Sequence, residues 1–513
     1  MQNIFKESLI LSTIYSFIIF LQEGFRESFT YSFFTGLANK FNYLVMNSSF
    51  WPYFYRLDRL DQVWSSSMVN RVLSSILNLP TRLLRLVYKK TKDILEASLV
   101  HKFLVFLSDN FHGLMGLVLV FTLVIPDHRW YNAYGVLTVF GLLALYLFKT
   151  VVDRDYNFNL DDLDLASIIF IMAIVLSFLL SLFPRDSLKD FIYFGISFAS
   201  VLILVNSIQK RKELDKLVNY LVLASFLTVV YGFYQWKVVG IEVNPSLTDI
   251  TINQGMSGRV FSSMGNPNVY GELLVLTMPF FLALILNARS LLGQAFYGLG
   301  FLMSLVILLK TGSRSAWVSF GVAMGAFIFF KNKKLLPVFV LLGFSMLPFL
   351  PDSIYRRLLT IFNPNDTSIR YRKEILQPAM PMLKDYWFTG VGLGTESFNT
   401  IYKRYKSFRL KTVAHTHNLF LQLWLEAGIV ALVSFLWLGF RLIKKTVYIV
   451  KNSRDKKLIN IAIAGLSALA GIVIMGFADH VWFYNRILFI FWIVVAIILA
   501  SYKLVLREEK KIA

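Results

Sequence analysis

The chain has 513 residues, 56% of them hydrophobic and 16% charged, with a mean hydropathy of +0.59. These proportions exclude an ordinary soluble protein and predict a polytopic helical membrane protein built from apolar runs of about 20 residues. A net charge of +21 would suggest nucleic acid in a soluble chain. In a membrane protein it follows from basic cytoplasmic loops facing anionic headgroups, so no nucleic-acid partner is expected. The chain has no cysteine, which removes disulfides, thiolate metal sites and cysteine nucleophiles. The N-terminus lacks the pattern of a cleaved signal peptide and reads as mature protein.

Residues 1–100 carry eleven Lys/Arg and seven Asp/Glu among many aromatics. The run Leu9 to Leu21 is apolar but short for a span. From Leu57 to Tyr88, Leu60, Val63, Val69, Val72, Ile76 and Leu79 recur at helical spacing, punctuated by Arg56, Arg59, Arg71, Arg82, Arg85, Lys89 and Lys90. That pattern predicts amphipathic, membrane-associated helices lying in the cytoplasmic interface. The rest, 101–513, reads as the transmembrane domain. About twelve spans are expected, near 104–125, 131–151, 165–183, 190–207, 217–239, 269–287, 295–310, 314–330, 335–350, 418–440, 459–478 and 485–505. Lys210-Arg211-Lys212, Lys331 with Lys333 and Lys334, and the group from Arg441 to Lys457 all fall on one side. The positive-inside rule then places both termini in the cytoplasm. Two long segments fall outside, 240–268 and 351–417. The second lies between the ninth and tenth spans and is expected to fold as short helices forming a lid over an outward-facing cavity. No internal repeat of the inverted-repeat transporter kind is visible.

The outer side holds few cations, in unusual places. Arg259 precedes Gly265-Asn266-Pro267-Asn268, and Arg314 follows Thr311-Gly312-Ser313 at a break between two apolar runs. A guanidinium fork suits an oxyanion such as a diphosphate, and Gly312 and Ser313 leave backbone N–H groups at a helix start. The plainer reading is a snorkelling arginine at a helix end. His417 stands before a helix on which Asn418, Gln422 and Glu426 share one face at spacing four. Such a polar stripe should face the bundle interior or a cavity. A histidine above it, titrating near neutrality, is a candidate general base; the plainer reading is polar glue between helices. His415-x-His417 suggests no third ligand locally, so no metal is expected. Asp162-Leu163-Asp164 reads as a solvated helix start rather than an acidic metal pair. Gly390-x-Gly392-x-Gly394 reads as turn chemistry. No P-loop is present, which argues against an ATP-driven pump.

Taken together, these segments resemble the O-antigen ligase/polymerase superfamily of bacterial envelope glycosyltransferases, the Wzy-C family, from about Gly258 to Phe435. The ligase signature is His, then Asn, Ser or Gln, nine residues, Gly, two residues, and Gly, Thr or Tyr. His417-Asn418 and Gly428 fit it, and Ala431 departs from it at the last position. Arg259 and Arg314 look like the two family arginines. Met382-Leu383-Lys384-Asp385 with Gly390-Val391-Gly392 resembles the outer segment ahead of the histidine. The resemblance implies transfer of a glycan from undecaprenyl diphosphate, on the outer side of the bacterial cytoplasmic membrane, to an acceptor hydroxyl. His417 would be the base. Arg259 and Arg314 would bind the diphosphate, supported by Asn266, Asn268, Ser313, Asn418, Gln422 and Glu426. It further implies no cofactor, no metal and inversion at the anomeric carbon. The acceptor is a glycan, glycolipid or protein. The ligase reading stands beside a polymerase, a protein O-oligosaccharyltransferase and, outside enzymes, a lipid-linked glycan transporter.

Overall fold

The structure, a computed structural model, describes residues 59–243, 258–362, 367–406 and 413–512, with scattered positions between 16 and 43. The expected run Leu9 to Leu21 falls almost wholly outside the described residues, as do 244–257 and Pro364. The chain divides into a small unit, Met1–Arg56 with Ile328–Leu347, and a large one, Leu57–Phe327 with Pro348–Ala513. Apart from the end of the helix Arg314–Asn332 and the whole of the helix Leu336–Met346, the elements described below belong to the large unit.

Among the described residues all regular structure is helical, with no strand. The chain runs through α1 (Arg59–Ser66), α2 (Met68–Leu77), α3 (Leu79–Ala97), α4 (Leu99–Asp109), α5 (Phe111–Val124), α6 (Asn132–Val152), α7 (Leu165–Leu179), α8 (Pro184–Ser207) and α9 (Arg211–Tyr234). It continues through α10 (Pro267–Asn287), α11 (Leu291–Lys310), α12 (Arg314–Asn332), α13 (Leu336–Met346), α14 (Asp352–Leu359), α15 (Thr367–Tyr386) and α16 (Gly394–Tyr405). The last three are α17 (Leu419–Asn452), α18 (Lys456–Met475) and α19 (Asn485–Ile512). Among the described residues eight helices are long and apolar enough to cross a membrane, or nine if α4 and α5, bent by 73°, form one span. Four of the twelve expected spans are therefore not met by a single such helix. Residues 104–125 fall on the bent pair and 165–183 on the 15-residue α7. Residues 314–330 fall on α12, which carries Arg314 and Lys331 at its ends, and 335–350 on the 11-residue α13. Hydropathy registers an apolar run, but the length that crosses a bilayer depends on where the helix breaks.

On α2 and α3, Val69, Val72, Ile76, Leu83 and Leu86 stand exposed, the surface that interfacial helices present to lipid. Asp61 of α1 is tied to the large bundle by Arg441 and, at 3.3 Å, by Lys445. Both cations also reach Asp164, at 2.8 and 3.1 Å. Asp164 accepts from the Ala166 N–H at the start of α7 and is fully buried. The acidic pair therefore does begin a helix, but it is not solvated. Asp162 pairs with Lys503 at 2.9 Å, as buried charge must be paired.

The most buried span is α19, packed on α8 and α18. Outside these spans lie α14, α15 and α16. Ile375, Ala379, Met382, Phe398 and Tyr402 form a core that closes on Leu425 of α17. At 34 residues, α17 exceeds the roughly 20 a bilayer needs. Gly428 breaks it, with φ 76° and ψ 178°. The carbonyls that the break releases are taken by the glycine-rich stretch. Val391 N–H donates to Leu425 O at 2.9 Å, Gly392 N–H to Glu426 O at 3.1 Å, and Ile429 N–H to Trp387 O at 3.0 Å. A Cβ on Gly428 would collide with the Phe388 carbonyl, and one on Gly390 with that of Glu426. These glycines thus let two backbones touch where a helix is interrupted.

Candidate functional site

His417 is placed by the short stretch 413–418 that enters α17. Asn418 caps that helix by accepting from Leu421 N–H at 2.9 Å. Gln422 Oε1 accepts from Thr416 N–H at 2.8 Å, and Gln422 Nε2 donates to Glu426 Oε1 at 2.7 Å. The stripe foreseen on this helix faces inward, with Gln422 and Glu426 buried. Its members hold the entry loop and each other and line neither cavity described below. His417 itself has a left-handed backbone, φ 50°, uncommon outside glycine. Its N–H donates to His415 Nδ1 at 3.2 Å, and the two rings lie 4.2 Å apart between centroids.

The side chain of His417 meets a carboxylate from the loop between α18 and α19. Its Nδ1 lies 3.0 Å from Asp479 Oδ1. That loop is fastened to the start of α17, where Leu419 N–H donates to Gly476 O at 2.7 Å. Burial alone would raise the Asp479 carboxyl. The hydrogen bond from His417, with the Arg372 charge nearby, outweighs it and holds Asp479 well below the usual carboxylate range. An ionised carboxylate only accepts, so it keeps the proton on Nδ1 and leaves Nε2 of His417 as the acceptor. Burial pushes His415 down to about 4, with the Arg372 charge adding to the effect. His415 is thereby a neutral neighbour.

The arginines converge on the same region. Arg259 is 7% exposed and donates through Nε to Thr311 O at 2.7 Å and through a terminal nitrogen to Asn268 Oδ1 at 2.6 Å. Arg314, at the start of α12, donates to Thr360 O and Oγ1 at 3.1 and 2.6 Å. Arg357 of α14 reaches back to Gly312 O at 3.4 Å. Arg259, Arg314, Arg357 and Arg372 line one cavity of about 270 Å³ together with Asn268 and Ser313. Burial and the charges of Arg357 and Arg314 push Arg259 down to about 9. Guanidinium groups gathered on one space suit an anion between them.

A second cavity, of about 620 Å³, holds His417, Asp479, His415, His480, Asn266 and Glu272 in its walls. The two cavities share Asn268, Ser368 and Arg372. The structure therefore gathers Arg259, Arg314, Asn266, Asn268, Ser313 and His417 around two adjoining spaces. Asn418, Gln422 and Glu426 stand behind them. Sequence reasoning missed Asp479, Arg357 and Arg372. Asp479 was open to notice as an acid at the outer end of an apolar run, but nothing in the sequence tied it to a histidine 62 residues away.

His415, His417 and Asp479 also bring ligand-type atoms within 4.8 Å of one another, a third ligand that the sequence did not suggest. Three of their polar atoms also pair within the cluster. Asp479 Oδ1 and His417 Nδ1 are each other's partners, and His415 Nδ1 accepts the His417 N–H.

Residues 299–436 match the family described as O-antigen ligase. The matched part carries Arg314, Arg357, Arg372, His417 and the Gly428 break, so the resemblance read from the sequence holds. No curated protein matches the chain.

Proposed function

We propose that this chain, which carries an O-antigen ligase domain, transfers a glycan from undecaprenyl diphosphate to an acceptor hydroxyl on the outer side of the cytoplasmic membrane. The observation that carries this reading is the junction of two unlike spaces. One is lined by four arginines, and the other presents a histidine whose Nδ1 faces a carboxylate. The donor diphosphate fits the first. The acceptor fits the second, and the anomeric carbon lies between them, near Asn268, Ser368 and Arg372.

In the reaction the acceptor oxygen bonds to the anomeric carbon as the bond from that carbon to the phosphate oxygen breaks. The electron pair leaves on the diphosphate, where Arg259 and Arg314 meet the growing charge with Arg357 and Arg372 beside them. The hydroxyl proton passes to Nε2 of His417, and Asp479 stabilises the imidazolium that forms. The diphosphate bond to the glycan supplies the driving force. Val318, Ile361, Ile369 and Ile474 on the arginine side offer the start of an apolar path for the lipid.

The test is transfer by purified Arg259→Ala and Arg314→Ala. Each should lose about a hundred- to thousandfold in rate, and lysine should restore only part of it because it lacks the fork. Near-normal transfer by both alanine variants would end the diphosphate assignment.

A further inference from the structure

The larger cavity has one wall that the proposed mechanism does not use. Glu272 lies one helical turn beyond Asn268 on α10, is 2% exposed and lines the cavity that holds His417. Its Oε2 has no hydrogen-bond partner among the described residues. A buried polar atom left unpaired costs about 1–3 kcal/mol, more if charged. Such an atom facing a ligand space is a contact waiting for the ligand.

The cavity says what kind of ligand. Of its lining residues only Val269 and Phe483 are apolar, so it does not suit a lipid tail. Tyr371, which lines it and meets the His417 ring edge-on at 5.7 Å, adds a flat surface with a polar tip, as does Tyr484. A hydroxyl both donates and accepts, and therefore pairs with a carboxyl in either protonation state. His417 already takes the proton of one hydroxyl. Glu272 stands ready for another on the same molecule.

Resting on the transfer reading above, we propose that Glu272 binds a second, non-reacting hydroxyl of the acceptor and so restricts the acceptor to glycans. Neighbouring hydroxyls are what a sugar offers and what a serine or threonine side chain does not. A site built to pair a substrate hydroxyl discriminates strongly against a molecule that lacks it, because its own polar group is then left bare.

The experiment is steady-state transfer by the full-length protein. The donor is lipid-linked glycan extracted from the membranes of the producing cells, and the acceptor is the glycolipid fraction of the same membranes. Wild type, Glu272→Gln and Glu272→Ala are compared by varying donor and acceptor in turn. Glu272→Ala should raise the acceptor KM about tenfold or more while the donor KM stays near wild type. Glu272→Gln, which can still pair a hydroxyl, should fall between, and it decides the matter if the alanine variant does not fold. An unchanged acceptor KM in the variants, or donor and acceptor KM rising together, would overturn the assignment. So would wild-type protein using a threonine-bearing peptide as readily as the glycolipid fraction. Absence of any transfer by wild type would instead overturn the transfer reading on which this one rests.

Discussion

Arg259 is buried, feels the charges of Arg357 and Arg314, and donates to the neutral oxygens of Thr311 and Asn268. Burial first, and those like charges second, loosen its proton, down to about 9. The cation that a diphosphate needs is present below that pH and is lost as pH rises through it. We expect kcat/KM for the donor, which reports the free enzyme, to decline above about pH 9. Arg259→Lys should move that limb and Arg259→Ala should lack it. A flat profile to pH 10 in wild type would contradict this placement. At this scale His417, Arg259 and Arg314 were legible, because polar groups at outer helix ends are costly unless used. Asp479 and Arg357 were not, since the loop and helix that bring them in are joined by tertiary contacts rather than by spacing.

Among elements, α17 is the one on which the site depends. Its sequence reads as a continuous helix through Gly428, and the plain reading of Gly390-x-Gly392-x-Gly394 was a turn. Both are half of one feature. All four glycines have positive φ, and the chain at 387–392 fills the gap in α17 with its own N–H groups and carbonyl. A left-handed φ signals nothing in advance except glycine itself, and a helix break completed by distant backbone has no periodic signature. Gly428→Ala should cost about 1–3 kcal/mol from strain, with more from the collision, and should lower transfer although Gly428 lines neither cavity. Gly439, with nothing within 4 Å of an added Cβ, is the control on the same helix. Its alanine variant should be neutral or gain up to about 1 kcal/mol. Thermal unfolding that treats both variants alike would refute the role given to the break.

At the scale of the molecule, composition settled the class, and an all-helical bundle follows from it. The number of spans did not follow, because runs such as 335–350 are apolar along the sequence without forming one long helix. The positive-inside rule would put the basic loops in the cytoplasm and, with them there, the cavities outside. The chain's lack of cysteine makes this simple to check. A cysteine at the exposed Met380 should react with an impermeant reagent added outside intact cells, and one at Arg454 should not. The reverse pattern would put the chemistry on the wrong side. The central claim, however, is that His417 takes the acceptor's proton while the arginines hold the donor. Its most direct test is single-turnover transfer by His417→Ala, with inorganic diphosphate binding measured on the same sample. The account predicts unchanged diphosphate binding with transfer slower by about a hundred- to ten-thousandfold. Turnover near wild type in His417→Ala would contradict it.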